Sequence, residues 1–315
     1  MISFRYHIVS IVSVFLALAV GVALGGGPLK GEVDNTLVEQ VEADRRAKAD
    51  LQAEIASLRS SNQFTDAFAT GVAPRLVGGT LDGRAVTMVV LPGAPEATVT
   101  STTELIGAAG GSVGATVRVG EALVDVGKKQ LVDELGSQLL EGTPDVAAPE
   151  DASGYERLGA LLARAVATTE DGGAEVDDAS NSIMAGLSTA GLLSPAGEIT
   201  RRGSLVVFVG GYGAGTTEER EGASTIVSSI ALAVDAETDG VVVAAPSAAA
   251  EDGGVVDVVR RDVTAAQEVS TVDALGRVAG QVVTVMALAE QAGGGAGHYG
   301  AVDAADGAFP GANEE

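Results

Sequence analysis

The chain has 315 residues, 46% of them hydrophobic but only 3% aromatic, and 43 acidic side chains outnumber 19 basic ones to give a formal net charge of −24. Such apolar content excludes a largely disordered protein, and the acidic balance excludes the clustered Lys and Arg of a nucleic-acid surface. With no cysteine in the sequence, disulfides, thiolate metal sites and cysteine nucleophiles are excluded as well.

Ile8 to Gly27 is free of charge, with Ser10 and Ser13 as its polar side chains. A helix of that length spans about 30 Å, the thickness of a bilayer's hydrocarbon core. Arg5 precedes it and mostly acids follow Lys30, so the positive-inside rule puts residues 1–7 in the cytoplasm and the bulk outside. Two fates fit the segment: a retained anchor over residues 8–27, or a secretory signal cut near Ala17-Leu18-Ala19. An apolar stretch that runs on past Ala19 behind a thin basic flank favours the anchor. Ser13, Ala17, Gly21 and Gly25 recur every fourth residue, a small-residue face suited to pairing two membrane helices. Gly25-Gly26-Gly27-Pro28 then reads as a joint, separating that pairing from whatever follows.

Residues 32–70 read as a coiled coil. Leu37, Val41, Leu51, Ile55 and Leu58 fall on alternating four- and three-residue steps, with Asp44 and Lys48 at the two intervening seam positions. The same spacing suits one amphipathic helix lying on its own domain, and the two charges suit a solvated break. Phe64 and Phe68 carry an apolar face towards Gly71 and Pro74, where the helix is expected to stop.

From residue 84 to 292 short continuous apolar runs alternate with helical stretches, which predicts an α/β domain with a mostly parallel sheet covered by helices on both faces. The strands expected are 85–91, 112–119, 205–209 and 240–245. The helices expected are 97–111, 128–140, 155–168, 180–193, 217–234 and 277–291, with an acidic connector at 141–154. Residues 293–315 form an acidic Ala/Gly tail whose composition predicts disorder.

Few residues offer chemistry. Gly210, Gly211, Gly213 and Gly215 link a strand to a helix, the context of phosphate-binding loops. Thr216 stands where the dinucleotide fingerprint has its third glycine, and Thr216 with Glu219 has capping-box spacing, so a plain tight turn explains the stretch equally. His7 beside the membrane segment and His298 in the expected loose tail are the two histidines, which argues against Ser-His-Asp chemistry and against an enzyme. Asp177-Asp178 and Glu218-Glu219 read as helix starts. For a soft ion the supply is Met88, Met184 and Met286, each in an apolar element, and His298 as an imidazole; no cofactor is expected beyond copper as a carried ion.

MISFRYHIVSIVSVFLALAVGVALGGGPL at the start, STVD at 270–273 and GHYG at 297–300 together resemble the actinobacterial MctB family, described as copper transport proteins of the mycobacterial envelope. The resemblance implies copper efflux or resistance and an outer-membrane, pore-forming assignment. An anchor, a coiled coil and a ligand-poor domain suit a second role, a scaffold of envelope or division machinery that is a homodimer through its transmembrane and coiled-coil segments, and a resemblance to the SteB envelope proteins of corynebacteria supports it. A third reading is an extracytoplasmic small-molecule binder built on the glycine turn. A membrane β-barrel needs many strands of alternating polarity with aromatic girdles, whereas this chain's strands are short and continuously apolar.

Overall fold

The computed structural model describes residues 4–25, 29–149 and 151–312. Its contacts divide into two compact units, residues 1–65 and 66–315. Helix α1 (Phe4–Gly25) reaches a mean hydropathy of 2.6 over an 18-residue stretch, and its side chains are exposed throughout. Its 22 residues rise about 33 Å, enough to cross a bilayer. Gly26, Gly27 and Pro28, the core of the expected joint, lie outside the described residues.

Helix α2 (Leu29–Val77) is longer than the sequence pattern suggested. It passes through Asp44 and Lys48 without interruption, helped by an Arg46–Glu42 pair at 3.1 Å with favourable i,i+4 spacing. Nor does it stop at Gly71 or Pro74. Its last turns bury Ala73 and Val77 in the second unit's core, and that packing outweighs the hydrogen bond lost at proline. The core of this unit therefore begins before residue 84.

The second unit is a seven-stranded sheet in the order β3-β2-β1-β4-β5-β6-β7. Its elements in chain order are β1 (Ala85–Val90), α3 (Glu96–Ala108), β2 (Ser112–Val119), α4 (Glu121–Val124), α5 (Lys129–Glu141), α6 (Gly154–Val166) and α7 (Asp178–Thr189). They continue as β3 (Leu193–Pro195), β4 (Leu205–Val209), α8 (Thr217–Asp235), β5 (Val241–Ala244), α9 (Val255–Arg261), α10 (Ala265–Glu268), β6 (Ser270–Val272), α11 (Val278–Gln291) and β7 (His298–Tyr299). All neighbours pair in parallel except β2 with β3.

Every residue of β1, β4 and β5 is buried, as expected of central parallel strands covered on both faces. On one face Met88, Val90 and Val207 pack with Ile106 of α3, Val285 and Leu288 of α11 and the end of α2. On the other, Val89, Phe208 and Val243 pack with Leu158 and Leu161 of α6, Ile230 of α8 and Val256 of α9. This is a doubly wound α/β architecture.

The expectation that the chain dissolves into a loose tail at Gly293 is corrected. It returns to the sheet as β7, with Thr271 donating to the Gly297 carbonyl and Asp273 to that of Tyr299. His298 and Tyr299 are both buried, and ordered turns follow as far as residue 312. Composition misled because polar anchors, not apolar mass, hold this edge.

Candidate functional site

The chain leaves β1 towards β2 on one side, then returns through β4 on the other. β1 and β4 therefore flank the point where strand order reverses, and open α/β sheets bind ligands outside the carboxyl ends of strands there. At that end Leu91 donates to the Val209 carbonyl at 2.9 Å and Gly210 to that of Ala244 at 2.7 Å, extending the ladder one residue past β4. The loop Gly211–Gly215 then diverges. Gly211 lies so close to Gly93 and Ala94 that a Cβ there would overlap their backbone.

Thr216 ends the loop and caps α8. Its hydroxyl accepts from the Glu219 amide at 3.3 Å, and the Glu219 carboxylate accepts from the Thr216 amide at 2.8 Å, so the capping box read in the sequence is formed. Those hydrogen bonds hold the Glu219 carboxyl below its usual range.

The diverging loops enclose a cleft of about 490 Å³, lined by Leu91, Val124, Gly210, Tyr212, Arg220 and Val255 among others. Arg220 is held by the Gly215 carbonyl at 3.2 Å and the Thr217 hydroxyl at 3.3 Å. Gly210, Gly211 and Gly213 of the four glycines singled out in the sequence line the cleft, while Gly215 turns with φ +95° just beyond it. Apolar walls with a few polar groups suit a small organic molecule. A soft ion prefers sulfur or imidazole, and no Cys, His or Met lines these walls.

A second polar centre lies at the far edge of the sheet, under β6 and β7. Asp273 is completely buried, and its carboxylate accepts from both terminal nitrogens of Arg260 at 3.1 Å and from the Ala301 and Val302 amides at 2.6 and 3.1 Å. Arg260 also donates to the Tyr299 carbonyl at 3.0 Å, to the Val302 carbonyl at 2.6 Å and to the Thr271 hydroxyl at 2.9 Å. Gly300, with φ +138°, brings its backbone so close to Asp273 that no side chain fits.

His298 completes this centre. Thr271 accepts from Arg260, so its hydroxyl proton is left for Nδ1 of His298 at 3.0 Å. Desolvation first, and the Arg260 charge second, push the imidazole below its usual pKa and keep it neutral. The histidine expected in a loose tail is thus a packed hydrogen-bond acceptor. The STVD and GHYG stretches are the two sides of this one clasp.

The remaining sequence candidates are dispersed. Ser13, Ala17, Gly21 and Gly25 lie along α1 at one-turn spacing, with the Ser13 hydroxyl bonded to the Val9 carbonyl at 2.8 Å. Leu37, Val41, Leu51, Ile55 and Leu58 stand about half exposed along α2. Met88 and Met184 are core residues and Met286 packs at a core's edge. Asp177 caps α7, and its bond to Arg164 holds its carboxyl far below the usual range. Among the described residues no group of three or more His, Cys, Asp or Glu converges as a metal site would.

Fold and site together define a doubly wound α/β protein with a switch-point cleft, a polar C-terminal clasp and an apolar N-terminal helix long enough to cross a membrane. The chain belongs to the MctB family of copper transport outer membrane proteins, whose family model matches residues 1–310. It is 30% identical to the copper transporter MctB of Mycobacterium tuberculosis strain H37Rv and to that of Mycobacterium bovis, over 95% of this chain and 96% of each relative. The copper transporter MctB of Mycobacterium leprae is 25% identical over the same shares.

Proposed function

We propose that this chain is a non-enzymatic, membrane-anchored component of copper transport in the cell envelope. In this reading α1 is retained in the membrane, residues 1–7 face the cytoplasm, the α/β domain stands outside, and two copies pair through α1 and α2. The observation that carries it is the end-to-end match, apolar N-terminus included, to relatives named as copper transporters. The described sheet is open and largely parallel with helices on both faces, unlike the closed antiparallel barrel of an outer-membrane pore. The role is accordingly that of an anchored extracytoplasmic partner of a transport path.

Deleting the gene and scoring growth and cell-associated copper on a copper gradient tests this. Raised sensitivity and raised cell copper, both reversed by the full chain, are expected; wild-type tolerance would overturn the reading. Septal or envelope defects with normal copper tolerance would instead favour the scaffold role.

The switch-point cleft favours one additional element, a small organic ligand held between Leu91, Tyr212 and Val255. A thermal-shift screen of the purified chain against small organic ligands tests it, and no hit that depends on the cleft's shape would remove it.

A further inference from the structure

Helix α2 carries an exposed apolar seam whose side-chain types are ordered. Following its four- and three-residue steps, Val41, Lys48 and Ile55 occupy the a row, and Leu37, Asp44, Leu51 and Leu58 the d row. β-Branched residues at a with leucine at d are the combination that packs two parallel helices. All five apolar members are between 47% and 58% exposed, so the seam has no cover within its own unit.

Charges beside the seam select the partner. Glu54 falls at a g position and Arg59, five residues on, at the e position of the next heptad. That is the spacing at which a g residue of one helix meets the e residue of an identical helix running parallel and in register. Arg45, at e, adjoins the partner's Asp44 in the same arrangement. Asp44 and Lys48 each face their own copy across the seam, an unfavourable pairing relieved by the opposite charge four residues away. Polar layers of this kind cost stability and fix register.

An antiparallel pairing is also self-complementary by sequence, with Leu37 against Ile55, Val41 against Leu51 and Asp44 against Lys48. Connectivity excludes it for anchored chains. Only three residues separate α1 from α2, so two copies held in one bilayer start their second helices from the same side. We infer that α2 pairs with a second copy of this chain as a parallel, in-register, two-stranded coiled coil through residues 37–58. This rests on the anchored homodimer proposed above and adds orientation, register and strand number. A seam of about three heptads is marginal alone, and confinement in the membrane supplies the effective concentration that sustains it.

The absence of native cysteine makes the test direct. Single variants Leu51→Cys, Leu58→Cys and Ala53→Cys, the last on the outer f position, are oxidised with diamide in the full chain in its native membrane. Disulfide-linked dimer at 51 and at 58 is expected several-fold above that at 53. Glu54→Arg should lower the yield at 51, and adding Arg59→Glu should restore it. Equal yields at 51 and 53, with efficient linkage only between Val41→Cys and Leu51→Cys chains, would establish the antiparallel form and overturn the inference. A dimeric mass for the detergent-solubilised chain without seam linkage would overturn the inference and leave the homodimer standing. A monomeric mass would end both, and a trimeric mass would exclude two strands.

Discussion

Arg260 forks onto the fully buried carboxylate of Asp273 at 3.1 Å through both terminal nitrogens, and from there reaches the Tyr299 and Val302 carbonyls of the returning chain. One ion pair thereby joins α9, the end of β6 and the segment after β7. Neither partner has a neighbour in sequence that announces the contact.

Removing the cation leaves the carboxylate buried and unpaired, the costly way to break such a pair. Arg260→Met is therefore expected to destabilise the domain by about 3–5 kcal/mol. Removing both charges while keeping an acceptor for the Ala301 and Val302 amides, as in Arg260→Met with Asp273→Asn, should cost less than the single change. Urea denaturation followed by circular dichroism measures both. A loss under about 1 kcal/mol for Arg260→Met would mean that the clasp does not hold β7.

His298 gives the same edge a pH dependence. Its imidazole is neutral in the fold, with a pKa lowered by desolvation and by Arg260, while the unfolded chain binds a proton near the ordinary value of about 6.5. Stability from the neutral ring is thus complete above that value and declines as pH falls through it towards the folded pKa. Hydrogen exchange at the Thr271 and Asp273 amides, which bond to β7, should quicken below about pH 6.5 relative to core amides such as Val207. His298→Gln should flatten the dependence; exchange that stays pH-independent after correction for the intrinsic rate would remove His298 as its source.

The central strands were legible because parallel strands buried on both faces must be apolar at every position, as AVTMVV and LVVFV are. The start of α8 was legible because a capping box is local, with Thr216 and Glu219 three residues apart. Strands β3, β6 and β7 were not, being two or three residues long and placed by partners far away in the chain. His298 bonds Thr271 across 27 positions and Arg260 bonds Val302 across 42. The cleft was half legible: its glycine loop shows in the sequence, but Val124 and Val255 reach it only through the winding of the sheet. The end of α2 was misread because burial of Ala73 and Val77, a tertiary effect, carries the helix past Pro74.

Asp235, near the end of α8, is raised from 3.8 to about 6, mainly by desolvation and then by the nearby Glu268 charge, against a bond from the Val241 amide. The folded state therefore binds a proton that the unfolded chain has released between about pH 4 and 6. Stability falls as pH rises across that window, and the penalty is complete above it. Asp235→Asn keeps an acceptor for Val241 and removes the charge. It should raise the melting temperature at pH 7 by about 2–4 °C, the shift roughly 1 kcal/mol produces in a domain of this size. The gain should vanish near pH 3.5, where both carboxyl forms are protonated. Differential scanning calorimetry at the two pH values checks the sign, and a lower melting temperature at pH 7 would contradict the assignment.

Gly211 is the residue through which the cleft itself can be questioned. A Cβ added there would overlap the backbone of Gly93 and Ala94, so a valine has no rotamer that avoids the first turn after β1. The loops at the ends of β1 and β4 must part, and the cleft they enclose must change shape. The loops are at the surface while β1 and β4 stay paired through Leu91 and Val209, so the fold should survive with a loss of about 1–3 kcal/mol, in the range of overpacking costs. Ligand binding in the cleft should then disappear while the urea transition stays cooperative. Tyr212→Ala, which removes a 63% exposed wall without touching the Gly93 contact, should weaken the same ligand with almost no loss of stability. A ligand found by thermal shift that binds both variants as tightly as the unaltered chain sits elsewhere, and the switch-point cleft would lose its claim to be the binding site.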